Sequence, residues 1–165
     1  MRKILSCVIA MQIAACGVFA QKNFLEKANS SFTSRNYNDA VTLFKKAYTK
    51  EKDKAVKAEI FFKIAECYRL TSNTKQSEGW YEKVIKAKYP DPIAYLYYAE
   101  AMKANGNYAE AIVQYNKYKQ EVPSDPRGGD GAKSCELAQQ WKDKPSRFKA
   151  ENAAALNSKF ADLAP

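Results

Sequence analysis

A stride of 34 residues constrains this chain more than any other feature of its sequence. Phe61, Ile64, Ala65 and Tyr81 return 34 positions later as Tyr95, Tyr98, Ala99 and Tyr115. One step earlier, Phe24, Ala28, Tyr37, Ala40, Phe44 and Ala47 map onto Phe61, Ala65, Thr74, Ser77, Tyr81 and Val84 with an offset of 37. Three extra residues therefore fall between the first two units, near Glu51 to Lys57. Within a unit the apolar residues step by three and four: Tyr95, Tyr98, Ala99 and Met102 share one helical face, and Tyr108, Ala111, Ile112 and Tyr115 share the next. Asn105-Gly106-Asn107 joins them, with glycine where a left-handed residue is cheap, and Pro123 stops the second helix. Each unit reads as a helical hairpin, with Ala99 and Ala111 small where its two helices cross most closely.

Hairpins at this stride predict an all-α fold, a tetratricopeptide (TPR) solenoid of three repeats plus a capping helix. The repeats fall at about 21–54, 58–91 and 92–125. The last keeps the pattern best; in the middle one Thr74 and Ser77 replace the usual aromatic and alanine. No hairpin buries its apolar face alone, so neighbours must stack and the last must be covered. Ser124 to Gly131 reads as a loop by composition, followed by a capping helix at about 132–142 with Cys135, Leu137, Ala138 and Trp141 available for its inner face. Pro145 ends it. Residues 143–165 keep no sustained period and read as a linker or the start of a further module. The 11 tyrosines serve best as core residues with a hydroxyl at the rim.

The first 20 residues read as an export signal. Arg2-Lys3 gives the positive start, Ile4 to Ala15 an apolar run too short for a membrane span, and Ala20 a small residue before Gln21. Two processing routes fit. Ile13-Ala14-Ala15-Cys16 resembles a lipobox, in which Cys16 is lipidated and becomes the first mature residue; Val18-Phe19-Ala20 fits cleavage before Gln21. The expectation is an exported protein at the periplasmic face of the outer membrane, whose membrane attachment, if the first route is taken, is a lipid on Cys16.

Cysteine usage then reduces to Cys67 and Cys135. Their separation of 68 is twice the stride, which puts them at equivalent positions two hairpins apart. With helices about 8–10 Å apart that gap far exceeds the roughly 7 Å a disulfide allows, so both read as small apolar residues in helix interiors. Histidine is absent, which removes imidazole acid–base chemistry, the usual hydrolase triads and histidine-ligated zinc. Glu66 and Glu100 stand one repeat apart and read as groove residues rather than catalytic carboxylates. The Gly128-Gly129 stretch lacks the strand and the Gly-Lys-Ser/Thr of a phosphate loop. No catalytic, metal or cofactor set emerges, and the chain is expected not to be an enzyme. Removing Arg2 and Lys3 takes the formal net charge from +9 to +7, and the remaining lysines and arginines are interspersed with acids along helix faces. No basic stripe interleaves with aromatics, so nucleic acid is not an expected partner.

Recognition of another protein remains. In TPR domains the first helices of successive hairpins line a concave surface that takes peptides or helices, through positions 2, 5, 9 and 12 of each repeat. The resemblance carries these onto Lys22, Leu25, Asn29 and Phe32, then Glu59, Phe62, Glu66 and Arg69, then Ile93, Leu96, Glu100 and Lys103. The five-residue clamp by which chaperone-binding members hold an acidic carboxyl terminus is not reproduced: only Asn29 matches, and Leu25, Lys63, Ile93 and Tyr97 occupy the other positions. An apolar segment is the better expected ligand, from a partner or from downstream parts of the same polypeptide.

The end of the chain adds a narrower resemblance. The signal, the hairpins, Lys133-Ser134-Cys135-Glu136-Leu137-Ala138, Glu151-Asn152 and the run from Leu156 to Pro165 together resemble the N-terminus of Bacteroidota envelope proteins. In that family TPR hairpins precede a PD40-type β-propeller and an OmpA-like domain that grips peptidoglycan. Similar members are the PorE-type component of the type IX secretion and gliding machinery. The resemblance implies a scaffold in an outer-membrane-associated complex; the alternative is a chaperone-like or assembly TPR lipoprotein that binds unfolded outer-membrane clients.

Overall fold

The computed structural model describes residues 23–144, and among these every regular element is a helix. The segment read as an export signal, with Cys16, and the tail after Lys144 lie outside the described residues. A first helix, α1, covers 23–33. It is followed by α2 (Tyr37–Tyr48), α3 (Lys54–Leu70), α4 (Thr74–Lys86), α5 (Ile93–Ala104), α6 (Tyr108–Glu121) and α7 (Arg127–Asp143). From α2 onward each helix packs on the next, and α5 also touches α7 across α6. That pattern is three stacked hairpins with a seventh helix closing the row.

The turns repeat as faithfully as the helices. Arg35, Ser72 and Gly106 occupy one register position after α1, α3 and α5, and all three have positive φ, at 59°, 57° and 84°. Only the third is glycine, so the first two hairpins accept about 1 kcal/mol of left-handed strain that Gly106 avoids. Entry into each of the two later hairpins and into α7 is fixed by an aspartate. Asp53 caps α3 through the N–H groups of Ala55 and Val56, Asp91 accepts from Ile93 N–H at 2.9 Å, and Asp125 accepts from Arg127 N–H at 3.0 Å. The three extra residues before the second hairpin are absorbed by α3, which starts five residues earlier in register than α5 and so gains a turn.

Stacking buries the residues that share the stride. Phe44, Tyr81 and Tyr115 are wholly or almost wholly enclosed, as are Ile60, Ile64, Leu96 and the small crossing residues Ala40, Ala65, Ala99 and Ala111. Where the middle repeat departs from the pattern it compensates with hydrogen bonds. Buried Ser77 donates to the Ala65 carbonyl oxygen at 3.4 Å, and Thr74 donates to Asn105 at 2.6 Å. Glu78 accepts from Asn105 and Asn107, tying α4 to the next hairpin's turn.

The capping helix departs from its sequence reading in two respects. It begins at Arg127, so the glycine-rich segment expected as a loop is its first turn and a half. Glycine is there for packing. A Cβ at Gly128 would sit 3.0 Å from Lys119 N and 3.1 Å from Tyr115 O, and one at Gly131 would sit 2.3 Å from the Tyr115 ring. Of the four residues available for the inner face, Cys135 is buried and Ala138 half-buried, but Leu137 and Trp141 point outward at 38% and 69% exposure.

Cys67 and Cys135 are both free and buried, in α3 and α7 as their register requires. Burial, reinforced by neighbouring Glu66, pushes the Cys67 thiol up to about 12, and burial also raises Cys135. The thiolate is the reactive form. In protein beginning at Gln21, Ellman's reagent at pH 8 is therefore expected to detect no thiol until denaturant is added, and two thereafter.

Candidate peptide-binding groove

The face lined by α1, α3, α5 and α7 carries the predicted groove residues, and the structure sorts them into three kinds. Leu25, Phe32 and Phe62 are half-buried parts of the packing itself. Phe32 meets Tyr37 edge-on with 5.7 Å between centroids, while Phe62 stacks on Tyr89 at 4.7 Å. Asn29 is exposed, while Ile93 is partly buried against the core with its remaining surface open to solvent. Leu96 corrects the sequence reading: it is fully buried and belongs to the core.

The charged positions form the third kind. Glu66 accepts from Arg69 Nε at 2.7 Å and from Nη2 at 2.8 Å, and it also accepts the Tyr81 hydroxyl. The guanidinium lies 4.2 Å from the Tyr97 ring centroid, in cation–π contact. Donating to Glu66 raises the already basic Arg69 further, and burial followed by the Glu66 charge pushes the Tyr81 hydroxyl far above its ordinary value. This part of the face is internally satisfied.

One repeat further the arrangement opens. Glu100, Lys103 and Ala104 of α5, Tyr108 and Tyr115 of α6, and α7 together line a cleft of about 670 Å³. Lys103 Nζ donates to Ser134 Oγ at 2.7 Å, and Ser134 donates to the Gly131 carbonyl oxygen at 2.8 Å. Arg127 is held by Asp125, with Nη2 at 2.6 Å from Oδ2, and reaches Tyr118. That pairing holds the Asp125 carboxyl well below the usual carboxylate range. Among the described residues no side chain or backbone group donates to the Glu100 carboxylate. Burial raises its pKa, against the opposing pull of Arg69 and Arg127.

The sign of that shift gives a prediction. A carboxyl raised in the folded protein binds its proton more tightly there than in the unfolded chain, so it lowers stability as pH rises above the ordinary carboxylate value. Glu100→Gln is expected to gain about 0.5–1 kcal/mol at pH 7, the scale of a half-buried group without a partner. The gain should vanish below about pH 4, where both states hold the proton; denaturant melts at the two pH values measure it.

Sequence reasoning missed the contribution of α7. Arg127, Asp130 and Ser134 follow Ile93, Leu96 and Glu100 by 34 residues, so continuing the stride past the glycines would have found them. Among the described residues no group of histidine, cysteine, aspartate or glutamate could hold a metal ion, and no helix is long and apolar enough to cross a membrane.

A family model described as tetratricopeptide repeat matches residues 93–125, the hairpin of α5 and α6. The stacked hairpins coincide with those of several solved structures. The fold is a TPR solenoid. The first TPR domain of Spaghetti, solved with the HSP90 peptide SRMEEVD, superposes with a TM-score of 0.62 at 16% identity, covering 73% of this chain and 93% of that one. The C-terminal TPR-containing domain of a putative FK506-binding protein of Plasmodium falciparum gives 0.63 at 19% identity, over 78% and 93%. The Sgt2 TPR domain of Aspergillus fumigatus gives 0.59 at 14% identity, over 88% and 91%. Likeness at these identities is of fold. No curated protein matches the chain.

Proposed function

We propose that the chain is a non-catalytic interaction module that holds another protein along the face of its odd-numbered helices. The observation that carries this is the TPR row ending in an open, mixed-charge cleft of about 670 Å³ between α5 and α7. An open cleft with aromatic walls and a few convergent polar groups suits a protein segment. The Spaghetti domain was solved with the acidic peptide SRMEEVD; here Leu25, Lys63, Ile93 and Tyr97 replace four of the five clamp positions, so the partner is not an acidic tail of that type. The export signal, the lipobox at Cys16 and the tail sequence support a place at the periplasmic face of the outer membrane. There the module would be the TPR part of a PorE-type scaffold in a secretion or gliding complex.

Site-specific photo-crosslinking tests the reading. A crosslinking residue at Asn29 or Ile93 is expected to capture one discrete envelope protein in cells. The same residue at Val113, 52% exposed on α6, is not. Equal capture from all three sites, or none from Asn29 and Ile93, sinks it.

A further inference from the structure

The second and third hairpins carry the same kinds of side chain at the same register, and only one of the two sets is closed. In the second, Glu66 takes both guanidinium N–H groups of Arg69 and the Tyr81 hydroxyl, while the Tyr97 ring lies flat against the arginine. Thirty-four residues on stand Glu100, Lys103, Tyr115 and Gly131. Lysine has replaced arginine and has turned to Ser134. Glycine has replaced the ring. Glu100 keeps its carboxylate at the wall of the cleft and accepts no hydrogen bond among the described residues. The molecule thus contains a filled carboxylate site and an open copy of it.

We propose that the cleft binds an arginine side chain presented by a segment of a partner protein, with Glu100 receiving the guanidinium as Glu66 receives that of Arg69. The inference rests on the groove reading above and adds to it the chemistry of one contact. Arginine fits better than lysine because the internal template is two-pronged: Nε and Nη2 each reach a different carboxylate oxygen of Glu66. A planar fork does this and a single ammonium does not. Tyr108 and Tyr115 supply aromatic walls in place of Tyr97. The cleft's own cations are engaged elsewhere, Lys103 with Ser134 and Arg127 with Asp125. Asp130, which also lines the cleft, accepts no side-chain hydrogen bond among the described residues and adds negative charge. Arg69, Arg127 and Lys103 act on Glu100 only through space, so the hydrogen-bonding positions of its carboxylate stay open to an incoming guanidinium.

The test uses the full chain and N-acetyl-arginine methylamide, followed by NMR at the amides of Glu100, Gly131 and Ser134. A saturable shift is expected. The citrulline analogue, which keeps the shape and loses the charge, should bind at least about tenfold more weakly, and Glu100→Gln should cost the arginine compound a similar factor. Lys103→Arg is the decisive variant. It restores the residue found at position 69, closes onto Glu100, and should lower affinity by about tenfold, which a merely structural glutamate would not produce. Equal response to citrulline, no saturable shift, or unchanged binding in both variants overturns the proposal. If crosslinking from Asn29 and Ile93 persists while the arginine titration is flat, this site fails and the groove reading stands; loss of those crosslinks in the unmodified chain removes the groove reading itself.

Discussion

Leu96→Ala is expected to lower the unfolding free energy by about 3 kcal/mol, which for a domain of this size moves the melting midpoint by roughly 10 °C. Leu96 stands at the position that lines the groove in TPR domains, yet it is fully buried, among the largest completely enclosed side chains. Truncation removes its apolar contacts and leaves a cavity between helices that cannot collapse without disturbing the hairpins on either side. Ile93, on the same helix and only partly buried, provides the contrast: Ile93→Ala should cost less, about 1–2 kcal/mol, because part of its surface already meets solvent. A thermal or denaturant melt separates the two. A shift of less than about 3 °C for Leu96→Ala would mean that α5 presents this face to a partner after all, and the core assignment would be wrong.

The misplacement of Leu96 marks the boundary of what the sequence could reveal. The stride is a strong signal because it is carried by residues that must be buried in every repeat: Ala65 and Ala99, Tyr81 and Tyr115 are all enclosed, as one register demands. Turn positions were legible for the same reason, since Gly106 stands where a positive φ is needed. Groove positions carry no such requirement. Whether position 5 of a repeat faces out depends on how the neighbouring helices lean, and this is set by side chains far away in sequence. Glu66 and Arg69 were legible as charges on the face, but their closure onto Tyr81 and Tyr97 joins three helices and has no local pattern. Trp141 was misread for a related reason. Its apolar character suggested an inner face, whereas α7 turns Cys135 and the small residues inward.

Gly131→Ala is expected to destabilise the protein by about 2 kcal/mol, although alanine is the better helix former. Two terms compete. In an unobstructed helix interior, replacing glycine gains about 1 kcal/mol. Gly79 in α4 is such a place, with nothing within 4 Å of a Cβ built there. At Gly131 the added Cβ would lie 2.3 Å from one ring carbon of Tyr115 and 2.5 Å from another, and Tyr115 is itself only 2% exposed. A buried ring cannot step aside at little cost, and overpacking of this kind costs about 1–3 kcal/mol, toward the upper end here. The clash therefore outweighs the propensity. Because Tyr115 also walls the cleft beside Glu100, displacing it should weaken arginine binding along with the fold, whereas Gly79→Ala should raise the melting midpoint and leave binding untouched. Melting both variants decides the matter: if Gly131→Ala stabilises as Gly79→Ala does, then α7 does not approach α6 this closely, and glycine at 131 has no packing role.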